Sequence, residues 1–217
     1  MAGRISFHFD DGHLSHYEQA FQVFRAAGVA GCIALPALLR ENRLTTKQAL
    51  EMQENGWEIL CHSLNHIRMR EPLPADMAEA EIVESKRMLE AEGFVIKQFI
   101  TPMSECHVSM LPLLREHYEA AFTVYTNSAT EPIERLVLQQ PFDNYRLNRA
   151  CLAGHSLSEL KAYVDYVEAS DDMLVFYDHD LGVNGNITAQ MLAELLAYCK
   201  EKGVQILTSS EALAFSN

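Results

Sequence analysis

Hydrophobic and polar positions alternate along the chain in short blocks that predict repeated strand–helix units. Short apolar runs predict strands at residues 5–9, 30–35, 58–61, 98–101, 121–125, 145–152, 173–177 and 204–207. Segments with apolar positions three or four residues apart predict helices at residues 17–27, 46–55, 75–92, 111–117, 158–169 and 188–202. Serine, threonine and glycine stand at several of the helix ends, as capping residues do. Residues 127–143 show no readable pattern.

This alternation predicts an α/β fold with a parallel sheet. Roughly seven or eight strand–helix units can close into a (β/α) barrel, and a chain of 217 residues is short for that architecture. We therefore expect a distorted or incomplete (β/α)7-8 barrel. No repeat, linker or low-complexity tract divides the chain, so we expect a single domain over residues 1–217.

The composition restricts the partners and the compartment of the protein. The formal net charge is −13, which disfavours binding to nucleic acid or anionic membranes through bulk electrostatics. No stretch approaches the roughly 20 apolar residues of a membrane helix, and no leading segment resembles a signal peptide. Five cysteines lack Cys-x-x-Cys spacing and are typical of reduced core residues. We therefore expect a cytoplasmic protein with no nucleic-acid partner and no transmembrane segment, and the sequence leaves its oligomeric state open.

Chemically reactive side chains follow several of the predicted strands. Asp10 and Asp11 come directly after the first strand, His62 and His66 follow the third, and His179 follows the apolar strand at 173–177. Because the carboxyl ends of parallel strands share one face of a barrel, we expect these side chains to meet. A carboxylate with two imidazoles can bind a divalent metal and leave coordination positions open. The second carboxylate of the Asp pair is then free to act as a base.

Each of these motifs also has a plainer interpretation. Asp-Gly is a common turn signal, so Asp11 and Gly12 alone are explained about as well by a turn. If the chain is helical from Ser63 onward, His62 and His66 lie on one face of that helix and can bind the same ion. A lone His-x-x-x-His pair is nevertheless weak evidence for a metal site. His179, which lies next to carboxylates, can be held protonated and serve as a general acid, or it can be an exposed residue at a strand end.

Taken in combination and in order, the motifs resemble those of the polysaccharide deacetylase family, also called the NodB-homology or carbohydrate esterase 4 family. The resemblance rests on these segments: Phe9-Asp10-Asp11-Gly12, Gly56-Trp57-Glu58-Ile59, His62-Ser63-Leu64-Asn65-His66, and the apolar strand that ends in Asp178-His179-Asp180. It implies a distorted (β/α) barrel of the NodB-homology type.

The resemblance also implies an activity and a role for each motif residue. The activity is metal-dependent removal of an acetyl group from a small-molecule or oligosaccharide substrate, an N-acetylated sugar or related amide, in the assembly of a surface polysaccharide or O-antigen. Asp11, His62 and His66 would bind one divalent metal, usually zinc, with cobalt, nickel or manganese as alternatives. Asp10 would be the general base and His179 the general acid. The alternatives are hydrolysis of another linear or cyclic amide, and a catalytically inactive homologue that binds metal and sugar.

The chain departs from the family pattern after the fourth predicted strand. Members often carry an arginine and an aromatic residue in their third motif, whereas residues 99–103 contain neither an arginine nor an aromatic residue after the proline. The departure removes the group expected to orient the base. Arg146 or Arg149 could supply a guanidinium from another strand, and Arg149 is a candidate substrate-binding residue, although a surface salt bridge explains either about as well. The fourth motif, rich in Asp and Trp in many members, is not recognisable.

Overall fold

The structure is a computed structural model that describes residues 3–38, 43–170 and 172–214. The strands in this part of the chain are β1 (Arg4–Phe9), β2 (Cys32–Leu35), β3 (Glu58–Cys61), β4 (Ile96–Ile100), β5 (Ala120–Val124), β6 (Val137–Leu138), β7 (Leu147–Asn148), β8 (Ala150–Cys151), β9 (Met173–Asp178) and β10 (Gln205–Ile206). The α-helices are α1 (Phe21–Ala27), α2 (Thr46–Glu54), α3 (Ala75–Glu79), α4 (Ser85–Ala91), α5 (Leu111–His117), α6 (Leu157–Ala169), α7 (Ala189–Glu201) and α8 (Ser209–Ala214).

The strands form a parallel barrel, as the sequence predicts. Strands β1 to β5 lie side by side in chain order, and β7 continues the sheet beyond β5. The next strand, β8, pairs with β9, and β9 pairs with β1 along its whole length. Only Arg149 separates β7 from β8. The segment 147–151 therefore joins the two edges of the sheet and closes the barrel.

Two features distort this barrel. Strand β1 changes its neighbour along its length, because Arg4 and Ile5 pair with β10 whereas His8 and Phe9 pair with β2. The predicted strand at 145–152 is broken into β7 and β8, each of two residues.

One further strand lies where the sequence showed no pattern. Within the stretch 127–143, β6 pairs with β9 in an antiparallel orientation. Two-residue strands are too short to produce a recognisable periodicity.

Side chains of β1 alternate between two hydrophobic clusters. Phe7 and Phe9 point outward to the helices, where both rings make edge contacts with Phe24 of α1. His8 points into the barrel, where its ring meets Phe122 of β5 edge-on. The interior cluster also contains residues from the last helix, α8. Burial on both faces explains why the parallel strands are mostly apolar, although β1 also buries Arg4, Ser6 and His8.

The helices match their predicted positions, but two of the predicted segments contain a π-helical turn, the first at His16–Ala20 directly before α1. Thr45, Ser156 and Thr188 cap α2, α6 and α7 through side-chain oxygens, as their sequence positions predict. The helix predicted at 75–92 contains a π-helical turn at Ala80–Glu84 between α3 and α4. Such turns occur often at functional sites. No helix among the described residues is long and apolar enough to span a membrane.

Candidate functional site

The sequence-predicted metal ligands meet at the carboxyl ends of β1 and β3. Oδ1 of Asp11 lies 3.1 Å from Nε2 of His66 and 3.6 Å from Nε2 of His62. The three donor atoms lie within 4.8 Å of one another. One carboxylate oxygen and two imidazole nitrogens suit a divalent cation such as zinc. The residues present therefore fit the metal that the sequence motifs imply.

A tight turn after β1 sends the two Asp side chains to different partners. Asp11 has φ 74° and Gly12 has φ 66°, both in the left-handed region. Asp tolerates this region better than most residues, and a Cβ added at Gly12 would lie 2.7 Å from Leu35 Cδ2. Burial raises the pKa of Asp11, but contacts with His13 and His66 lower it more, so its net pKa lies well below the usual range. Asp11 is therefore ionised, as a carboxylate that binds a metal must be.

His62 is fixed in the tautomer that a metal requires. Its Nδ1 lies 2.7 Å from the backbone oxygen of Ile100, which can only accept, so Nδ1 carries the proton. The lone pair of Nε2 therefore faces Asp11. Burial lowers the pKa of His62 to about 4, against the opposing effect of Asp10 and Asp11. The ring is neutral at physiological pH and available as a ligand.

The segment that carries His66 is a loop, so the helical expectation for His62 and His66 is wrong. Ser63 and His66 have φ values of 66° and 57°, which no right-handed helix contains. The buried carboxylate of Glu81, in the π-helical turn, accepts from the amides of Leu64 and Asn65 at 3.0 Å and from Asn65 Nδ2 at 2.8 Å. Three hydrogen bonds to one carboxylate hold the loop in a conformation that sequence spacing could not indicate.

Arg149 holds Asp10 from across the barrel. Its Nη1 and Nη2 donate to the two carboxylate oxygens of Asp10, each at 2.8 Å, and both residues are buried. Burial raises the pKa of Asp10, but the Arg149 guanidinium lowers this pKa. The net pKa of Asp10 lies well below the usual range. The ring of Tyr177 packs against the guanidinium, with 4.4 Å between the ring centroid and Cζ of Arg149. The structure thus places on Asp10 a guanidinium from the segment between β7 and β8, whereas residues 99–103 contain no arginine.

His179 and Asp10 line one open cleft at the carboxyl ends of the strands, here called the rim cleft. Its volume is about 550 Å³, and its walls are formed by Asp10, His62, His66, Arg68, Met103, Ser104, Glu105, Tyr125, Tyr177 and His179. The neighbouring Asp178 accepts from the amides of His179 and Ile187 and so orders the loop after β9. Asp178 therefore positions the His179 backbone at the edge of the rim cleft.

Two histidines beside the metal ligands were not singled out by spacing. His13 Nε2 lies 3.6 Å from Oδ2 of Asp11, the oxygen that faces away from His62. His16 is buried, and its Nε2 lies 2.9 Å from the backbone oxygen of His179. Both follow the Asp-Asp-Gly turn closely in sequence, which is the only signal that could have identified them. His13 thus contacts Asp11, and His16 contacts the backbone of His179, but neither histidine is part of the wall of the rim cleft.

Comparisons with known proteins agree with this geometry. The sequence profile described as "Polysaccharide deacetylase" matches residues 2–118. The curated protein "Putative polysaccharide deacetylase YxkH" of Bacillus subtilis (strain 168) is 26% identical over 84 residues, which are 38% of this chain and 30% of that protein. The match thus spans less than a third of that relative's length.

Solved structures share the fold over nearly the whole chain. BA3943, a carbohydrate esterase 4 family pseudoenzyme from Bacillus anthracis, superposes with a TM-score of 0.68 at 14% identity, covering 98% of this chain and 66% of its own. A family 4 carbohydrate esterase from Streptomyces lividans in complex with acetate gives a TM-score of 0.66 at 16% identity, covering 94% and 91%. At these identities the likeness establishes the barrel architecture alone.

Proposed function

Because this chain belongs to the polysaccharide deacetylase family, we propose that it is a metal-dependent hydrolase that removes an acetyl group from an N-acetylated sugar or a related amide. One observation carries the proposal. The Asp11, His62 and His66 donors lie beside a carboxylate fixed by Arg149, and Asp10 and His179 open onto the same cleft. A hydrolase of this kind needs a metal site, a base and an acid around one substrate.

The chain's own groups can divide the work of hydrolysis. A divalent cation held by Asp11, His62 and His66, which we propose is zinc, would polarise the acyl oxygen and lower the pKa of a water molecule. Asp10, held ionised by Arg149, would accept a proton from the attacking water. His179 would donate a proton to the nitrogen of the leaving amine. The Arg149 pair fixes the Asp10 carboxylate in one orientation and so keeps its position constant through the reaction.

The decisive experiment measures metal content and acetate release on the same set of variants. We expect His62→Ala and His66→Ala to lose bound zinc, because each removes one of three ligands. Asp10→Asn and His179→Ala should keep the metal and slow hydrolysis by about 10²- to 10⁴-fold, as the loss of a general base or acid does. His117→Ala, at the end of α5 and outside the rim cleft, is the matched control. Wild-type zinc occupancy in both ligand variants would contradict the proposed metal site.

The competing function is a metal- and sugar-binding protein without activity. The structural likeness to the BA3943 pseudoenzyme and the absent third-motif arginine favour it. The Arg149–Asp10 pair favours activity, because the orienting guanidinium is present after all. Wild-type protein with bound zinc should be assayed against N-acetylated oligosaccharides, nucleotide-linked N-acetyl sugars and small linear and cyclic amides. Absence of acetate or amine release from all of them would support the inactive alternative, whereas release from the amides alone would identify a different amidase.

We also propose that the protein is located in a reducing compartment. Its substrate would then be a precursor made before the polysaccharide is assembled outside that compartment. All five cysteines are unpaired, and burial raises the pKa of Cys32, Cys61 and Cys199, so these thiols resist oxidation. Cell fractionation with antibody detection tests the location directly. Recovery in an oxidising compartment would contradict it.

A further inference from the structure

A second, smaller cleft lies next to the rim cleft and shares two of its wall residues. This second cleft, here called the arginine cleft, has a volume of about 200 Å³. Arg70 and Arg146 line it, and Glu105 and Tyr125 belong to both clefts. A substrate that occupies the rim cleft can therefore extend into the arginine cleft.

The backbone brings the two arginines together from distant parts of the chain. Met69 forms a parallel bridge with Cys106, and the His107 amide donates to the Met69 oxygen at 2.8 Å, which holds the backbone at Arg70 next to the segment 105–107. On the other side, Thr123 Oγ1 donates to the Tyr145 oxygen at 2.8 Å, which sets the position of Arg146 beside the end of β5. Hydrogen bonds to two separate backbone segments therefore bring the two arginines to one cleft.

The guanidinium groups of Arg70 and Arg146 have neither a hydrogen bond nor an ion pair among residues 3–38, 43–170 and 172–214. Every other arginine in those ranges donates to a named partner: Arg4 to Ala212, Arg25 to Gln22, Arg43 to His13, Arg68 to Glu105, Arg87 to Glu84, Arg115 to Asp143, Arg135 to Glu131 and Arg149 to Asp10. Asp143, the carboxylate near Arg146, is already bonded to Arg115 at 2.7 Å.

The charge of the whole protein makes this arrangement informative. With a net charge of −13, carboxylates greatly outnumber cations, yet two guanidinium groups that form no ion pair within the described part of the chain line one cleft beside the proposed active site. Glu105 stands between the clefts, but Arg68 Nη1 lies 3.2 Å from its carboxylate and offsets its charge. Paired guanidinium groups bind phosphate and carboxylate oxygens through charge-assisted, often bidentate, hydrogen bonds.

We infer that Arg70 and Arg146 bind an anionic group, a phosphate or a carboxylate, carried by the acetylated substrate whose hydrolysis is proposed above. The inference rests on that proposed function and narrows its substrate class to charged sugars. Tyr125, whose side chain is exposed and forms part of both clefts, offers a ring face against which the sugar between the two groups can pack. Recognition of the anion would favour binding of a charged sugar over a neutral one.

The test compares two anionic N-acetylated sugars with a neutral one: an N-acetylhexosamine 1-phosphate, an N-acetylhexosaminuronic acid and the methyl glycoside of the same N-acetylhexosamine. We expect Arg70→Gln and Arg146→Gln each to raise KM about tenfold for whichever anionic substrate the enzyme prefers, with kcat unchanged. KM for the neutral glycoside should not change. Arg87→Gln, which removes an exposed arginine paired with Glu84 on α4, is the matched control.

Equilibrium binding to the zinc-loaded wild type and variants separates this inference from the proposed function. Arginine-dependent binding of the phosphate or the uronate without hydrolysis would uphold the arginine cleft and contradict the hydrolase. Hydrolysis with equal KM values for charged and neutral sugars, unchanged in Arg70→Gln and Arg146→Gln, would overturn the arginine cleft alone. A preference for the 1-phosphate indicates a phosphate-linked sugar, and a preference for the uronate indicates an acidic polysaccharide unit. Circular dichroism confirms that each exposed-site variant is folded.

Discussion

At the scale of single residues, the pair formed by Arg149 and Asp10 decides the protonation state of the proposed base. A buried carboxylate without a cation would have a raised pKa and would be partly protonated near neutral pH. Here the guanidinium outweighs burial, and the pKa of Asp10 falls well below its usual range. Both carboxylate oxygens accept from Arg149, so Asp10 can move little. The contact with Arg149 therefore controls both the charge and the position of the Asp10 carboxylate.

Replacing Arg149 should therefore change the pH dependence of the reaction as well as its rate. In Arg149→Gln the burial of Asp10 remains and the cation is lost, so the pKa of Asp10 rises. A general base works only when ionised, so the acidic limb of kcat/KM should move to higher pH, by at least about one unit. Rate profiles from pH 4 to 9 on the neutral glycoside measure the shift.

The control for this prediction is Arg135→Gln, an exposed arginine paired with Glu131 whose side chain is not part of the walls of either cleft. Its profile should overlay that of the wild type. An Arg149→Gln profile that keeps the wild-type acidic limb while losing rate would show that Arg149 acts only on position. Removing one member of a buried ion pair costs about 3–5 kcal/mol, so the double variant Asp10→Asn with Arg149→Gln should recover stability.

At the scale of elements, the π-helical turn Ala80–Glu84 connects helix packing to the metal site. It places the Glu81 carboxylate, which is 2% exposed, beneath the loop that carries His66. In the following helix α4, Oγ of Ser85 lies 3.2 Å from Sγ of Cys61. Cys61 is the last residue of β3 and directly precedes His62. The helix thereby fixes both ends of the metal-binding segment, and the loop conformation depends on one buried acid.

Glu81→Ala should loosen this segment and weaken metal binding without touching a ligand. The change leaves the buried Leu64 amide without its acceptor, and we expect a loss of about 3 kcal/mol in the free energy of unfolding. Loss of such a supporting residue typically lowers metal affinity by about 10- to 100-fold. Denaturant unfolding and zinc titration measure the two effects.

The matched control for Glu81 is Glu79→Ala, an exposed acid two residues earlier on the same helix, which should alter stability by no more than about 0.5 kcal/mol. Unchanged zinc affinity in Glu81→Ala would mean that the loop around His66 holds its shape through the backbone alone.

At the scale of the whole molecule, the barrel encloses histidines that stay neutral in the folded protein. Burial lowers the pKa of His8 well below 6.5, and burial lowers that of His16 to about 3. Both ring nitrogens of His8 are buried without a hydrogen-bond partner among the described residues. Below pH 6.5 the unfolded chain takes up a proton at each site and the folded chain does not. The free energy of unfolding therefore falls as the pH falls.

We predict that His8→Asn flattens this acid dependence. Each histidine with a depressed pKa contributes about 1.4 kcal/mol per pH unit once the pH is below 6.5 and above its folded value. Removing one titrating group should lower the slope of unfolding free energy against pH by that amount between pH 6 and 5. Denaturant titrations of metal-free protein measure it, and His107→Asn, a partly exposed histidine outside the barrel, should keep the wild-type slope. An identical slope in His8→Asn would mean that His8 is protonated in the folded state.

The prediction of the fold from the sequence was accurate where the pattern was local. Each long strand and helix has its own apolar period and caps, which are set by neighbouring residues. The rim position of Asp11, His62 and His179 followed as well, because parallel strands must end on one face. Pattern reading missed β6, the break at Arg149 in the strand predicted at 145–152, and the π-helical turns, because none of these features imposes a period of its own.

The sequence alone thus determined the order of the strand–helix units, the (β/α) barrel, the family resemblance and the identity of the residues at the strand ends. Only the tertiary structure decided that Arg149 pairs with Asp10, 139 residues away in the chain, and that Glu81 shapes the His66 loop. It also brought Arg70 and Arg146 to one cleft. Local patterns reflect which face of an element is buried, whereas these contacts depend on how the barrel closes and which side chains then face each other across it.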